Sequence, residues 1–144
     1  MLYTLSTVKV TQVIKGSFTA GDTVSIVEMG GRTKYGEYGK NCNLEKKAFD
    51  TGTNRFPDDY KLVCGFDGYF AMKEGDKLLC FAGDSSGFLK NVSEPLYDFI
   101  GDYDGKFLLQ EDGSYATPIP SKTDKPVFSE KSSRITISDL MAMQ

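Results

Sequence analysis

The chain has 144 residues, 40% of them hydrophobic and 26% charged, and its formal net charge is −3. This length and composition are typical of one globular domain with a continuous core, and we expect a single β-barrel domain over residues 1–144. Scattered rather than clustered Lys and Arg residues argue against nucleic-acid binding, and no apolar run approaches the roughly 18 residues of a membrane span.

Histidine is absent from the chain. Without it the commonest general base at neutral pH is missing, and so are Ser-His and Cys-His nucleophile pairs and His-containing zinc sites. We therefore expect no catalytic residue, no metal ligand and no cofactor-binding residue.

Short β-type segments separated by Gly-Asp or Asp-Gly turns predict a mainly β chain. The first segment runs from about Tyr3 to Ile14, and its alternation breaks twice, which predicts β-bulges near Ser6-Thr7 and Thr11-Gln12. The second segment, Thr23 to Met29, alternates cleanly and ends at a Gly-Gly pair.

The segment that follows, residues 30–40, is glycine-rich and matches no phosphate or dinucleotide motif, and its part from Arg32 to Lys40 is weakly strand-like. It carries Tyr35 and Tyr38, and aromatic side chains on a flexible loop are typical anchors of a binding interface. We predict these two tyrosines as partner-binding residues. The alternative is that they only cap the end of the barrel.

Residues 41–59 are polar and irregular apart from a possible helical turn over Leu44 to Phe49, which predicts a long surface loop. The loop contains the adjacent carboxylates Asp58 and Asp59, and also Glu45. Paired carboxylates could serve glycoside hydrolysis, but adjacent acids diverge on an extended chain, so a solvated loop is favoured.

Strand signals resume at Tyr60 to Cys64 and, after an Asp-Gly turn at residues 67–68, at Tyr69 to Met72. A second turn over residues 73–76 leads into Lys77 to Gly83, which is apolar on both faces and predicts a central strand covered on both sides.

Residues 96–117 predict a β-meander, with a hairpin turn at Asp104-Gly105 and another turn at Asp112-Gly113. The sequence Asp102 to Gly105 resembles part of a calcium loop but lacks its other ligands, and the hairpin turn explains it. A Pro-rich connector follows, and Ser138 is the predicted N-cap of a short C-terminal helix.

The three cysteines, Cys42, Cys64 and Cys80, form no CxxC pair. Cys80 stands in an apolar run and reads as a small buried hydrophobic residue. Cys42 and Cys64 lie in or beside polar loops, where they could form a disulfide outside the cytoplasm or, if exposed beside a cation, supply a reactive thiol.

Four blocks of the chain resemble a group of poorly characterised exported proteins of Gram-positive bacteria: VKVTQVIKG, GDTVSIVEMGG, MKEGDKLLCFAG and DGKFLL, at residues 8–16, 21–31, 72–83 and 104–109. The resemblance implies a small OB-like, partly open antiparallel β-barrel similar to tissue-inhibitor-of-metalloproteinase and netrin modules. The long polar loop and a connector with a short helix at 118–144 would complete it. No cysteine stands near Met1, so the zinc-directed inhibition of that family does not carry over.

The resemblance therefore predicts a non-enzymatic, extracytoplasmic binding or structural module of bacterial origin, secreted or on the cell surface, with a protein or polysaccharide partner. The alternatives are a hydrolase using loop carboxylates or a thiol, and a protease-inhibitor-like module. Such barrels carry one more strand before the first one here, and its absence would leave an exposed edge, so we also predict a homodimer formed through that edge.

Overall fold

The computed structural model describes residues 2–41 and 56–143. The described elements are β1 (Tyr3–Lys9), β2 (Thr23–Met29), β3 (Gly31–Lys34), α1 (Tyr35–Asn41), β4 (Lys61–Cys64), β5 (Leu78–Cys80), β6 (Ala82–Asp84), β7 (Leu96–Phe99), a 3-10 helix (Asp102–Gly105), β8 (Lys106–Leu109), β9 (Tyr115–Ala116), β10 (Arg134–Ile135) and α2 (Ile137–Ala142). The predicted mainly β, open architecture is confirmed, and the described strands close no complete barrel.

Strands β1 and β2 form one antiparallel ladder whose register runs without interruption from Tyr3 opposite Met29 to Lys9 opposite Thr23. The bulge predicted at Ser6-Thr7 is therefore wrong, and the one predicted at Thr11-Gln12 falls after the strand has ended. The strand keeps its hydrogen-bonded ladder and leaves Leu5 on the outer face, where the side chain is 43% exposed.

Among the described strands β1 pairs only with β2, so its other edge has no partner strand there. An unpaired edge can accept a strand from another chain, and the homodimer through this edge stays a prediction.

The first sheet has the strand order β1-β2-β7-β6. Its inner pair, β2 and β7, is parallel, with Ser25 opposite Leu96, while the other two pairs are antiparallel. Because β2 has a neighbour on each side and is covered on both faces, Ile26, Val27 and Glu28 are all buried.

The predicted central strand over Lys77 to Gly83 is bent and divided between two sheets. Its first half, β5, pairs with β8 in the second sheet, whose order is β10-β9-β8-β5, and its second half, β6, pairs with β7. At the bend, Phe81 donates its N–H to the Gly105 carbonyl and accepts from the Ile100 N–H. The bend leaves the Phe81 side chain 44% exposed, so this segment is not covered on both sides along its length.

The predicted hairpin at Asp104-Gly105 is wrong, because β7 and β8 do not pair with each other. Both strands pair with the same bent segment, β7 through Ala82 opposite Phe99 and β8 through Cys80 opposite Lys106. Two residues along the bent segment, from Cys80 to Ala82, therefore correspond to seven residues along the other chain segment, from Phe99 to Lys106. The extra residues fold into the 3-10 helix. The Asp112-Gly113 turn, in contrast, does connect the paired strands β8 and β9 as predicted.

The predicted strand over Tyr69 to Met72 is absent beyond a single bridge between Phe66 and Tyr69 that closes the expected Asp67-Gly68 turn. Side chains replace strand partners here. The Phe70 carbonyl accepts from Lys106 Nζ, and the Met72 N–H donates to Glu28. These bonds satisfy a buried backbone that has no neighbouring strand.

The core lies where the bent sheet encloses this segment. Ile26, Met72 and Phe99 form its buried cluster, and partly buried side chains pack around it, namely Val8, Val24, Leu78, Cys80 and Tyr97. The two-stranded ribbon of β3 and β4 stands apart as a third sheet.

The weak strand predicted through Lys40 ends at Lys34, and Tyr35 begins helix α1 instead. The flexible loop expected around Tyr35 and Tyr38 is therefore a helix. Cys42, Glu45 and the predicted helical turn over Leu44 to Phe49 lie outside the described residues. In the described ranges, no helix combines the length and the apolar character needed to cross a membrane.

Helix α2 begins two residues earlier than predicted, because Thr136 and not Ser138 is its N-cap. The Thr136 hydroxyl accepts from the Asp139 N–H, and the Asp139 carboxylate accepts from the Thr136 N–H, which together form a capping box. The Thr136 hydroxyl also donates to the Asp139 carboxylate at 2.7 Å, and this bond, followed by the one from the Thr136 N–H, holds the pKa of Asp139 below its usual range.

We predict that Thr136→Ala destabilises the C-terminal segment by about 1 kcal/mol, because it removes the acceptor for an otherwise unpaired helix N–H. Faster amide hydrogen exchange over α2 would report the loss. Ser138→Ala is the matched control and should leave exchange unchanged. Equal effects of the two substitutions would contradict this assignment of the cap.

Candidate functional site

An aromatic cluster joins one of the predicted partner-binding tyrosines to two residues that sequence reasoning did not select. We call Tyr35, Phe56 and Tyr60 the aromatic patch. The Phe56 and Tyr60 rings are stacked with centroids 4.3 Å apart, and the Tyr35 ring meets Phe56 edge to face at 5.8 Å. Phe56 and Tyr60 remain 44% and 45% exposed.

Backbone hydrogen bonds fix this patch between the start of α1 and the chain leading into β4. The Tyr35 N–H donates to the Tyr60 carbonyl at 2.9 Å, and the Gly36 N–H donates to the Asp58 carbonyl at 3.0 Å. Gly36 is required by this approach, since a Cβ there would lie 2.9 Å from the Asp58 Cβ. Tyr38 lies one turn further along α1 and is half-buried.

The candidate catalytic groups that the structure describes do not converge. Asp58 and Asp59 are both exposed, and among residues 2–41 and 56–143 no group of acids and cysteines is arranged to hold a metal ion. Cys64 and Cys80 are half-buried free thiols, and burial raises the pKa of the Cys80 thiol. A raised pKa reduces the thiolate fraction, so Cys80 is a poor nucleophile.

A buried ion pair that the sequence analysis missed lies under the bent sheet. Lys106 Nζ contacts a Glu28 carboxylate oxygen, and each side chain is only 2% exposed. Lys106 also donates to the Phe70 carbonyl at 3.0 Å, and Glu28 accepts from the Met72 N–H at 2.9 Å. Because each charge has a second partner, the desolvation cost of burying the pair is partly offset.

Aromatic rings surround the lysine end of this pair. Lys106 Nζ lies 5.6 Å from the Phe99 ring centroid and 5.9 Å from that of Tyr103, and Tyr103 stacks on Tyr69 with centroids 4.2 Å apart. The Tyr103 hydroxyl is buried and, in the described part of the chain, has no hydrogen-bond partner. Burial, followed by the negative charges of Glu28, Asp102 and Asp67, raises the pKa of Tyr103 to about 12.

A cavity of about 160 Å³ opens to solvent beside these groups, and we call it the aromatic cavity. Its lining combines aromatic, aliphatic and acidic side chains, namely Tyr3, Val27, Glu28, Met29, Phe88, Asp98, Phe99, Asp102 and Tyr103. A concave, mostly apolar site with a few polar groups and a perturbed tyrosine is a candidate binding site, and this one is smaller than the roughly 300 Å³ of the smallest ordinary small-molecule pockets.

The alternation of side chains between the two faces of β2 was the signal that could have revealed the buried acid of this ion pair. Glu28 is on the same face as Val24 and Ile26, so an acid at that position points into a predicted core. A buried acid requires a cation, but nothing in the spacing identifies Lys106, which is 78 residues away.

We predict that a spectrophotometric titration at 295 nm shows a late step near pH 12 that comes from Tyr103. The unfolded chain ionises that tyrosine near its ordinary pKa of about 10, so the free energy of unfolding falls as the pH rises through this window.

Tyr103→Phe should remove the late step and leave the stability at pH 7 equal to or above that of the wild type, because an unpaired buried hydroxyl is lost. If the late step persisted in this variant, the assignment of the raised pKa to Tyr103 would be wrong.

Comparisons with protein-family models, curated proteins and solved structures found no match to this chain.

Proposed function

We propose that this chain is a non-enzymatic binding module that contacts a partner protein through the aromatic patch. The observation that carries the proposal is that Phe56 and Tyr60 stack on each other yet stay 44% and 45% exposed. Large aromatic side chains at the surface are the residues that contribute most to binding energy in protein interfaces.

The surroundings of the patch favour a protein over a polysaccharide. Exposed charges of both signs flank it. The positive charges are those of Lys34 and Lys61, and the negative charges are those of Asp58 and Asp59. Val63, on the adjoining strand β4, is a further exposed apolar residue at 44%. An apolar centre with a mixed polar rim is the usual anatomy of a protein–protein interface.

The patch is also preorganised. The backbone bonds from Tyr35 to Tyr60 and from Gly36 to Asp58 hold it between two elements, so less backbone entropy is lost when a partner binds. The extracytoplasmic, bacterial setting of the proposal rests on the resemblance of the four sequence blocks alone.

A photo-crosslinking amino acid in place of Phe56 tests the proposal on the surface fraction of the source cells. We expect one discrete crosslinked protein, absent when the same group replaces Phe81, which is equally exposed at the bend between β5 and β6. The partner protein identified by the crosslink, purified on its own, should then bind the Tyr60→Ala variant at least about tenfold more weakly than the wild type, as expected for an interface hot spot.

Phe81→Ala should leave that affinity unchanged. Equal binding by wild type and Tyr60→Ala would refute the proposal. So would Tyr60-dependent binding to isolated cell-wall polysaccharide with no protein crosslink, which would instead assign the patch to a glycan.

A further inference from the structure

The aromatic cavity has electron-rich walls. Four aromatic rings from the described part of the chain line it, and two of them, Tyr3 and Phe88, meet edge to face with centroids 5.3 Å apart. The other two, Phe99 and Tyr103, already lie within 6 Å of a cation, the Lys106 ammonium of the buried ion pair. Ring faces at such distances attract positive charge through the aromatic quadrupole.

The mouth of the cavity is acidic. Asp98 and Asp102 are exposed lining residues, whereas the charge of the third lining acid, Glu28, is balanced by Lys106. Among the residues that the structure describes, the lining contains no lysine or arginine. An anionic ligand would therefore be repelled, and a cation would be attracted to the mouth.

Two further features suit a ligand that is cationic but largely apolar. The inner wall is formed by the buried Val27 and Phe99 side chains, which offer apolar contacts rather than hydrogen bonds. The Tyr103 phenol stays neutral at physiological pH, so it presents a dipole and a ring to the ligand without charge. A hydrated metal ion would lose its water shell against such walls without gaining ligands.

We propose that the aromatic cavity binds an organic ammonium group, with the aromatic rings around the cation and Asp98 and Asp102 at the mouth. The volume of about 160 Å³ is close to the roughly 150 Å³ of an engineered protein cavity that holds benzene, so the site takes a group of that size and not a whole polymer. The site is separate from the aromatic patch and does not depend on the proposed protein partner.

Choline chloride is the probe, with 3,3-dimethylbutan-1-ol as its neutral isostere, both titrated into the full chain at constant total chloride. Two-dimensional NMR should show choline-dependent shifts at Tyr3, Phe88 and Tyr103, saturating at least about tenfold lower in concentration than any shift caused by the alcohol. Equal binding of the two probes would overturn the proposal, because hydrophobic contact alone would then explain it.

Removing the acidic mouth supplies the second test. Asp102 has a φ of 55°, a left-handed backbone that asparagine also accepts, so Asp102→Asn should fold normally. Together with Asp98→Asn it should weaken choline binding about fivefold to tenfold by removing two attractive charges.

Asp104→Asn, in the same 3-10 helix but outside the cavity lining, is the matched control and should bind choline like the wild type. Tyr60→Ala in the aromatic patch should also bind choline normally, which separates this proposal from the previous one. Unchanged choline binding in the double variant, or no saturable shifts at the lining residues, would refute the ammonium site.

Discussion

Replacing Lys106 by methionine is expected to lower the free energy of unfolding by about 3–5 kcal/mol, the usual cost of removing one partner from a buried ion pair. The substitution keeps the length of the side chain but leaves the Glu28 carboxylate 2% exposed with no cation. It also leaves the Phe70 carbonyl without its donor. Urea unfolding followed by far-ultraviolet circular dichroism measures the change.

Two further variants separate the charge effect from the loss of packing. Lys77→Met alters an exposed lysine one residue before β5 and should change the stability by less than about 0.5 kcal/mol. The double variant Glu28→Gln with Lys106→Met removes both charges, while the amide oxygen introduced on β2 can still accept from the Met72 N–H. We expect it to be more stable than Lys106→Met alone, and a double variant as unstable as the single would argue against charge pairing.

Gly105→Ala is expected to cost about 3 kcal/mol, at the upper end of the range for overpacked cores. Gly105 is buried at the bend between the two sheets, and an added Cβ would clash with the Ile100 carbonyl oxygen and lie 3.0 Å from that of Phe81. Both obstacles are backbone atoms, one of them in the bent β5–β6 segment, so neither can rotate away as a side chain would. The same urea titration measures this loss.

Gly39→Ala is the matched control for the added methyl group. Gly39 lies in α1, where a Cβ would meet nothing within 4 Å among the described residues beyond its own helix backbone and chain neighbours, so alanine should leave the stability unchanged or raise it by up to about 1 kcal/mol. If both glycine variants were as stable as the wild type, the close approach at the bend would not be a constraint on the fold.

The candidate sites combine features that depend on neighbouring residues in the chain with contacts between residues far apart in the sequence. Tyr35 was predicted from its place among glycines, but its ring contact with Phe56 depends on how residues 56–60 return to the start of α1. Tyr3 and Phe88, which form one wall of the aromatic cavity, are 85 positions apart in the printed sequence. No spacing rule connects residues at such separations, because their proximity is set by sheet pairing.

The amino-acid pattern alone determined the features that depend on neighbours in the chain. It specified the mainly β class, the strand β2 with its bounds, and the turns at Asp67-Gly68 and at residues 73–76, because alternation and turn chemistry act over a few residues. Tertiary structure decided how these pieces pair. The apolar run over residues 77–83 is divided at Phe81 because its two halves meet different partner strands, and Glu28 is buried because Lys106, on a distant strand, neutralises it.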